Sequence, residues 1–394
     1  MKLCALTQSY ADTGGGVRTM IHAERDRFRA MPGAEHVLIV PGAEDTVTRD
    51  GNLTTYTIRS PFVPGSSVYR LLLRSRAVLR ILEAEKPDVI EAHCAYNLPW
   101  TAMLHRRRHG GIVSGVYMTD LPVAYVETPL RPRVGRRLAG AARAVTESYV
   151  RRLYRRCDVV VGISPVIRQR LVDLGVEHAE CVPLGVDLDT FHPSRRSPAL
   201  RSTHGVTGDA LMFVYAGRLD GEKRPDIVLE AFAQVRASAT HDALRNAVLV
   251  MAGDGPMRPR LEERGAEIGN VRVLDFVQDR LELATLLASA DVYVSGMPHE
   301  TFGLSVVEAQ ACGLPVVGVR AGAMVDRVAD GDDGFLVTPD SPADMAARIM
   351  DTDPACWPAM GARARRRVGQ EFSWDRTFQR LLTLYREALD ARGS

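Results

Sequence analysis

The stretch Val292–Val319, VYVSGMPHETFGLSVVEAQACGLPVVGV, decides how this chain folds. An apolar run ends at Ser295, a loop carries Glu300, a helix starts near Ser305, and Gly313-Leu314-Pro315 stops that helix before a second apolar run, Val316–Val319. Strand, helix and strand in about thirty residues make a parallel crossover unit. Outward from it the same alternation fills the chain. Strands are predicted at Lys2–Thr7, Val37–Val40, Leu53–Ile58, Val89–Ala92, Ile112–Met118 and Val159–Ile163. A second block holds Leu211–Ala216, Ala247–Ala252, Val271–Phe276, Val292–Ser295, Val316–Val319 and Phe335–Val337. Helical spacing of apolar residues marks Val17–Ala30, Tyr69–Glu85, Arg136–Arg156, Asp226–Ala237 and Ala343–Met350. Near-continuous apolar strands joined by helices imply parallel sheets covered on both faces. Two such blocks predict two Rossmann-like, doubly wound α/β domains facing one cleft, with ligands at the strand C-termini.

The break falls near Gly185–Thr203, which is polar, holds two prolines and lacks apolar periodicity. The expected domains are 1–190, a linker at 191–203, and 204–373. A last helix, Trp374–Leu389, has no partner left in the second block, so residues 374–394 are expected to cross back onto the first domain. The 394 residues are 46% hydrophobic and 25% charged, which excludes disorder, collagen and a coiled-coil rod. Six cysteines never approach CxxC spacing and read as reduced thiols of a cytoplasmic protein. No run of about 18 apolar residues occurs, and the N-terminal residues lack the pattern of a signal peptide. The net charge of +2 hides an imbalance: residues 1–190 carry 26 Lys and Arg against 20 Asp and Glu, the remainder 24 against 28. Only Lys2, Lys86 and Lys223 are lysine.

Four segments carry candidate chemistry. Thr13-Gly14-Gly15-Gly16-Val17-Arg18-Thr19 follows the first strand and opens a helix, a setting in which backbone N–H groups can meet an anion or simply make a turn. It is one residue short of the dinucleotide fingerprint, and no acid closes the second strand, so nicotinamide dinucleotide binding is disfavoured. Gly217-Arg218-Leu219-Asp220-Gly221-Glu222-Lys223 follows the first strand of the second block. Its two cations can neutralise a diphosphate or remain solvated. Gly253-Asp254-Gly255-Pro256 is a common turn sequence, here at a strand C-terminus. The fourth segment is the opening stretch. Glu300 and Glu308 flank a glycine-bearing loop and can accept hydrogen bonds from sugar and ribose hydroxyls.

These segments, with Pro183-Leu184-Gly185-Val186-Asp187, Phe191, Pro193 and Phe372-Ser373-Trp374, resemble the retaining glycosyltransferases of family 4, whose two-domain architecture is called GT-B. The resemblance spans essentially the whole chain and is most specific over residues 183–337. It implies transfer of a sugar from a UDP- or GDP-sugar to a hydroxyl acceptor, with retention and with no required metal or other cofactor. By the same match Glu300 would bind donor-sugar hydroxyls and Glu308 the ribose. Arg218 and Lys223 would bind the diphosphate. The amides of Phe302, Gly303 and Leu304, with Gly15 and Gly16 and beside Gly217 and Gly253, would complete the phosphate cradle, and the base would rest near Phe276 and Val277. The DxD triplets starting at Asp187, Asp330 and Asp351 do not directly follow predicted strands, which argues against a metal-dependent transferase.

One departure stands out. Where the family often has Tyr-His-Thr-Asp-x-Pro, this chain reads Tyr117-Met118-Thr119-Asp120-Leu121-Pro122, so the family's histidine role does not pass to Met118. His93, after the strand Val89–Ala92, is a candidate for the same space or a packed core histidine, and Asp120 is a candidate for orienting the acceptor. The alternatives are a nucleotide-sugar epimerase, a phosphorylase, or a non-catalytic nucleotide-sugar-binding subunit. A phosphorylase would need a pyridoxal lysine, and Lys223 is the sole lysine of the second domain. Residues 131–156 hold nine arginines and one acid, with Val134, Leu138, Ala142, Val145, Tyr149 and Leu153 at helical spacing. The segment is either a domain helix with a solvated basic face or a surface for acidic lipid at the inner face of the membrane. Without aromatic interleaving, nucleic acid is not an expected partner.

Overall fold

A computed structural model describes residues 1–10, 15–63 and 69–393. Two units divide the chain, Met1–Leu184 with Asp375–Ser394, and Gly185–Trp374. The first is built on an eight-stranded sheet: β1 (Lys2–Leu6), β2 (Glu35–Gly42), β3 (Thr46–Asp50), β4 (Leu53–Arg59), β5 (Val89–Ala92), β6 (Ile112–Tyr117), β7 (Val159–Gly162) and β8 (Ala179–Cys181), ordered β3-β4-β2-β1-β5-β6-β7-β8. All pairs are parallel except β3 with β4. The second holds a fully parallel six-stranded sheet: β9 (Met212–Ala216), β10 (Val248–Ala252), β11 (Val271–Leu274), β12 (Val292–Val294), β13 (Val316–Val319) and β14 (Gly334–Val337), ordered β11-β10-β9-β12-β13-β14.

Strands β5, β6, β7, β9, β10, β12 and β13 are buried at every residue, as parallel strands between two helical layers must be. Two strands lay outside the apolar pattern. In β3, TVTRD, every residue is exposed, and its charged end blunts the sheet edge. The strand β8 is only three residues long. In each sheet the chain winds outward in both directions from one central point. That reversal lies between β1 and β5 in the first unit and between β9 and β12 in the second, the position where open α/β sheets leave a crevice at their C-terminal ends.

Three boundaries differ from the sequence reading. The helix predicted over Tyr69–Glu85 begins only at Ser75, because Arg70 makes a bridge to Phe62. The helix Trp374–Gly393 runs past Leu389 and packs under the first sheet, where Tyr385 donates to Glu91 and, at 3.3 Å, to Ser114. Residues 191–203 are not a free linker. Phe191 is fully buried, Ser197 caps the helix Pro198–Thr203, and Arg196 and Arg201 pair with Asp291 at 2.6 and 2.8 Å. Polarity there reflects ion pairing to the second sheet, which apolar periodicity does not report. No described helix is long and apolar enough to cross a membrane.

Candidate active site

In the second unit the connection after β9 and the connection after β12 meet at the reversal point. Asp220 folds the first by accepting at Oδ1 from the amides of Glu222 and Lys223, 3.1 and 3.0 Å away. That turn delivers Lys223, whose Nζ donates to Glu300 Oε2 at 3.0 Å. The Lys223 side chain is 25% exposed and that of Glu300 11%, so the pair sits at the rim of the sheet and not in its core. Burial pushes the Glu300 carboxyl up, but the Lys223 ammonium and the amides of Phe302 and Gly303 outweigh it and hold its pKa below the usual carboxylate range. Those two amides, expected to cradle phosphate, point at Glu300, and Thr301 N–H donates to its Oε1 at 3.2 Å. Gly303 caps the helix Leu304–Ala311 with φ +84°, a left-handed conformation that favours glycine and turns the loop back on Glu300.

Glu308 lies on that helix, its side chain 3% exposed. Its one ion-pair partner among the described residues is Arg280, whose Nη2 donates to Oε1 at 2.7 Å. Burial raises the Glu308 pKa and Arg280 only partly offsets it. Thus two carboxylates eight residues apart are shifted in opposite directions. The sequence reading did not single out Arg280. The one available signal was a cation just past Phe276 and Val277, and a separation of 28 residues from Glu308 gave no spacing rule.

The other candidates fall as follows. Arg218 is well exposed and pairs with acids of its own loop, Asp220 and, at 2.7 Å, Glu222. Gly217 and Gly253 hold the neighbouring loops together: Gly217 N–H donates to Ala252 O at 3.0 Å, Leu219 N–H to Asp254 O at 2.9 Å, and a Cβ on Gly253 would collide with the Gly217 carbonyl. The Gly-Asp-Gly-Pro turn is therefore a brace for the Lys223 loop. Phe302 is buried, with the Arg327 guanidinium 4.2 Å from its ring centroid. β11 ends at Leu274, leaving Phe276 exposed and Val277 half-buried in the connection beyond it.

In the first unit Gly15 and Gly16 begin the helix Gly16–Arg29 past the end of β1, while Thr13 and Gly14 lie outside the described residues. Met118 packs against Gly16. Asp120 accepts from Tyr117 Oη and Arg170 Nε, both at 3.0 Å, so its two oxygens are engaged in fixing the loop after β6. The His93 side chain is fully buried and lies 3.0 Å from Glu91 Oε2, out of alignment for a hydrogen bond, which favours the packed-core alternative. Two residues along an extended chain share a sheet face, so His93 follows Glu91 inward. Segment 131–156 departs from a single sheet-facing stripe. Gly135 breaks the helix Thr128–Tyr154, and Ala139, Val150, Leu153 and Tyr154 are buried, while Val134, Leu138 and Val145 stand exposed among arginines. Among the described residues no three His, Cys, Asp or Glu side chains converge as a metal-ligand set.

Residues 14–190 match the family model described as Glycosyltransferase Family 4, and residues 210–352 the one described as Glycosyl transferases group 1. Two parallel α/β sheets with this pattern of loops define a glycosyltransferase of GT-B architecture. The sucrose-phosphate synthase of Thermosynechococcus elongatus shares that fold, with a TM-score of 0.79 at 20% identity over 99% of this chain and 100% of that one. The chain belongs to glycosyltransferase family 4 and is a retaining, nucleotide-sugar-dependent enzyme. It is 31% identical over 384 residues to the GDP-mannose-dependent alpha-(1-6)-phosphatidylinositol dimannoside mannosyltransferase of Mycobacterium tuberculosis, covering 97% of this chain and 95% of that one. It is 30% identical over 363 residues to the D-inositol 3-phosphate glycosyltransferase of Stackebrandtia nassauensis, covering 87% and 79%.

Proposed function

We propose that the chain transfers mannose from GDP-mannose to a hydroxyl of an inositol-bearing lipid, with retained anomeric configuration and without a metal. The observation that carries the site is the Lys223–Glu300 pair at the reversal point of the second sheet. Donor and acceptor classes follow the relative that matches nearly end to end. In this reading the diphosphate takes Lys223 from Glu300 and Arg218 from its loop acids. Glu300 then accepts from hydroxyls of the sugar, Glu308 accepts from the ribose, and the base lies along Phe276-Val277. The bond from the anomeric carbon to the diphosphate oxygen breaks with its electron pair on that oxygen. The acceptor oxygen bonds the same carbon from the same face and passes its proton to the departing diphosphate. Fixed cations at the developing charge stabilise that transition state, the service a metal ion gives other transferases. By the same match Gly15 and Gly16 of the first unit serve the donor phosphate, and Asp120 orients the acceptor.

The exposed apolar residues Val134, Leu138 and Val145, with Arg131, Arg133, Arg136 and Arg137 exposed in the same segment, suit an anionic bilayer surface and support a lipid acceptor. Mannose from labelled GDP-mannose should enter the chloroform-soluble fraction when phosphatidylinositol mannosides are supplied. At equal concentration GDP should raise the melting temperature more than UDP or ADP. Stabilisation by UDP alone would overturn the donor. Equal recovery of the protein with vesicles of phosphatidylglycerol and of phosphatidylcholine would remove the anionic-lipid surface.

A further inference from the structure

The geometry points to Arg280 as a positioning residue for the nucleotide: it holds the Glu308 carboxylate in place as the acceptor for ribose hydroxyls. This rests on the reading of Glu308 given above. Arg280 is the first residue of the helix Arg280–Ser289, which Asp279 caps by accepting from the amides of Leu281 and Glu282 at 2.7 and 3.0 Å. A cation in the first turn of a helix opposes the helix dipole, so helix stability does not account for it there. Two other contacts do. The guanidinium lies 4.6 Å from the ring centroid of the buried Phe191, and its Nη2 reaches Glu308 at 2.7 Å. The ring fixes the plane of the guanidinium, and the guanidinium fixes one carboxylate oxygen.

Among the described residues the other groups near Glu308 are neutral or already engaged, Arg195 among them, committed to the carbonyls of Thr190 and Asp189. Tyr293, on β12, and Cys312, at the end of the same helix, both feel its field. Burial pushes the Cys312 thiol up to about 12 and raises the Tyr293 phenol, so both are neutral from pH 5 to 8. Arg365, on the helix Trp357–Glu371, is committed to the carbonyls of Leu188, Phe191 and Ala311. Asp187, also in the field of Arg280, is turned to the amides of Asp189 and Thr190 at 3.0 Å each. With Arg280 removed, burial acts on Glu308 unopposed. The carboxyl takes up a proton at higher pH, and a protonated carboxyl offers the ribose a weaker acceptor.

The test compares GDP and UDP with their 2′,3′-dideoxy analogues, titrated calorimetrically into the full chain between pH 5.5 and 8.5. Wild type should prefer the hydroxylated nucleotide about tenfold at pH 8.5 and keep that preference to lower pH than Arg280→Met does. Arg280→Met should lose most of the preference at the acid end and recover it toward pH 8.5, and Arg280→Lys should restore the wild-type profile. A wild-type preference in Arg280→Met at every pH would overturn the inference. So would a loss that neither varies with pH nor yields to lysine, since that is a purely structural effect. If wild type itself does not distinguish the analogues, the ribose reading of Glu308 fails, and this inference with it.

Discussion

Each unit draws two glutamates away from bulk water, and sets them in different company. In the second unit Glu300 and Glu308 stand at strand and helix ends, each paired with a cation that is itself partly exposed, Lys223 or Arg280. In the first, Glu24 on the helix Gly16–Arg29 and Glu91 on β5 lie under the sheet. The two carboxyls lie in each other's field, Glu24 meets His36 Nε2 at 3.0 Å, and Glu91 accepts from Tyr385. Neither forms an ion pair with lysine or arginine among the described residues. A carboxylate whose partner is a cation at an open strand end can exchange that partner for ligand hydroxyls while the cation turns to phosphate. A carboxyl closed in by histidine, tyrosine and another acid has nothing to exchange, and it ties helices to a sheet. The same residue type thus serves a ligand in one unit and the fold in the other.

The largest effect belongs to the exchangeable pair. Lys223→Ala should lower kcat about 10²- to 10³-fold, the cost of removing one donor from a developing oxyanion. The far-ultraviolet circular dichroism should stay that of wild type, because the pair is at the rim. Turnover within a few-fold of wild type would place Lys223 with the structural acids and erase the contrast.

Next is the closed set. Tyr385→Phe leaves Glu91 and Ser114 without the phenol O–H, and an unmet buried acceptor costs about 1–3 kcal/mol. The urea midpoint of the first unit should fall accordingly, while kcat below that midpoint stays near wild type. A fall in kcat with an unchanged midpoint would move Glu91 into the active site.

The contrast was half legible in the amino-acid sequence. Glu300, Gly303, Glu308 and the stop at Gly313-Leu314-Pro315 lie within one crossover unit, where apolar runs and glycine punctuation are local signals. Glu24 and Glu91 are 67 residues apart, and only sheet pairing with the helix above it brings them together. A glutamate on a helix or strand reads as a solvated face until burial is known. Arg280 and the buried turn of His93 stayed hidden for the same reason. The phase of segment 131–156 was lost at Gly135, where a left-handed backbone breaks the periodicity that placed Val134 and Leu138 on one stripe with Leu153. Strand β3 escaped because an edge strand facing water on both sides has no apolar alternation to read.

The smallest effect is a difference of sign. Burial and the neighbouring Glu91 raise the Glu24 pKa well above its ordinary value near 4.5, with His36 buried beside it and its pKa pushed down by burial. The folded chain therefore binds the Glu24 proton more tightly than the unfolded chain does. Its stabilising contribution is complete below the ordinary value and is lost as pH rises through the folded one. Glu300 behaves oppositely. Its pKa is lowered by Lys223 against the pull of burial, so its contribution is complete above the ordinary value and is lost as pH falls through the folded one. Melting temperatures of Glu24→Gln and Glu300→Gln, each taken relative to wild type, should then move in different windows. The Glu24 variant should gain on wild type as pH climbs from 5 to 8. The Glu300 variant should gain on it as pH drops below about 4.5, by a smaller margin because the pair is partly exposed. Parallel trends in the two variants would mean that both carboxyls are held by burial alone, and the distinction between an exchangeable acid and a structural one would fail.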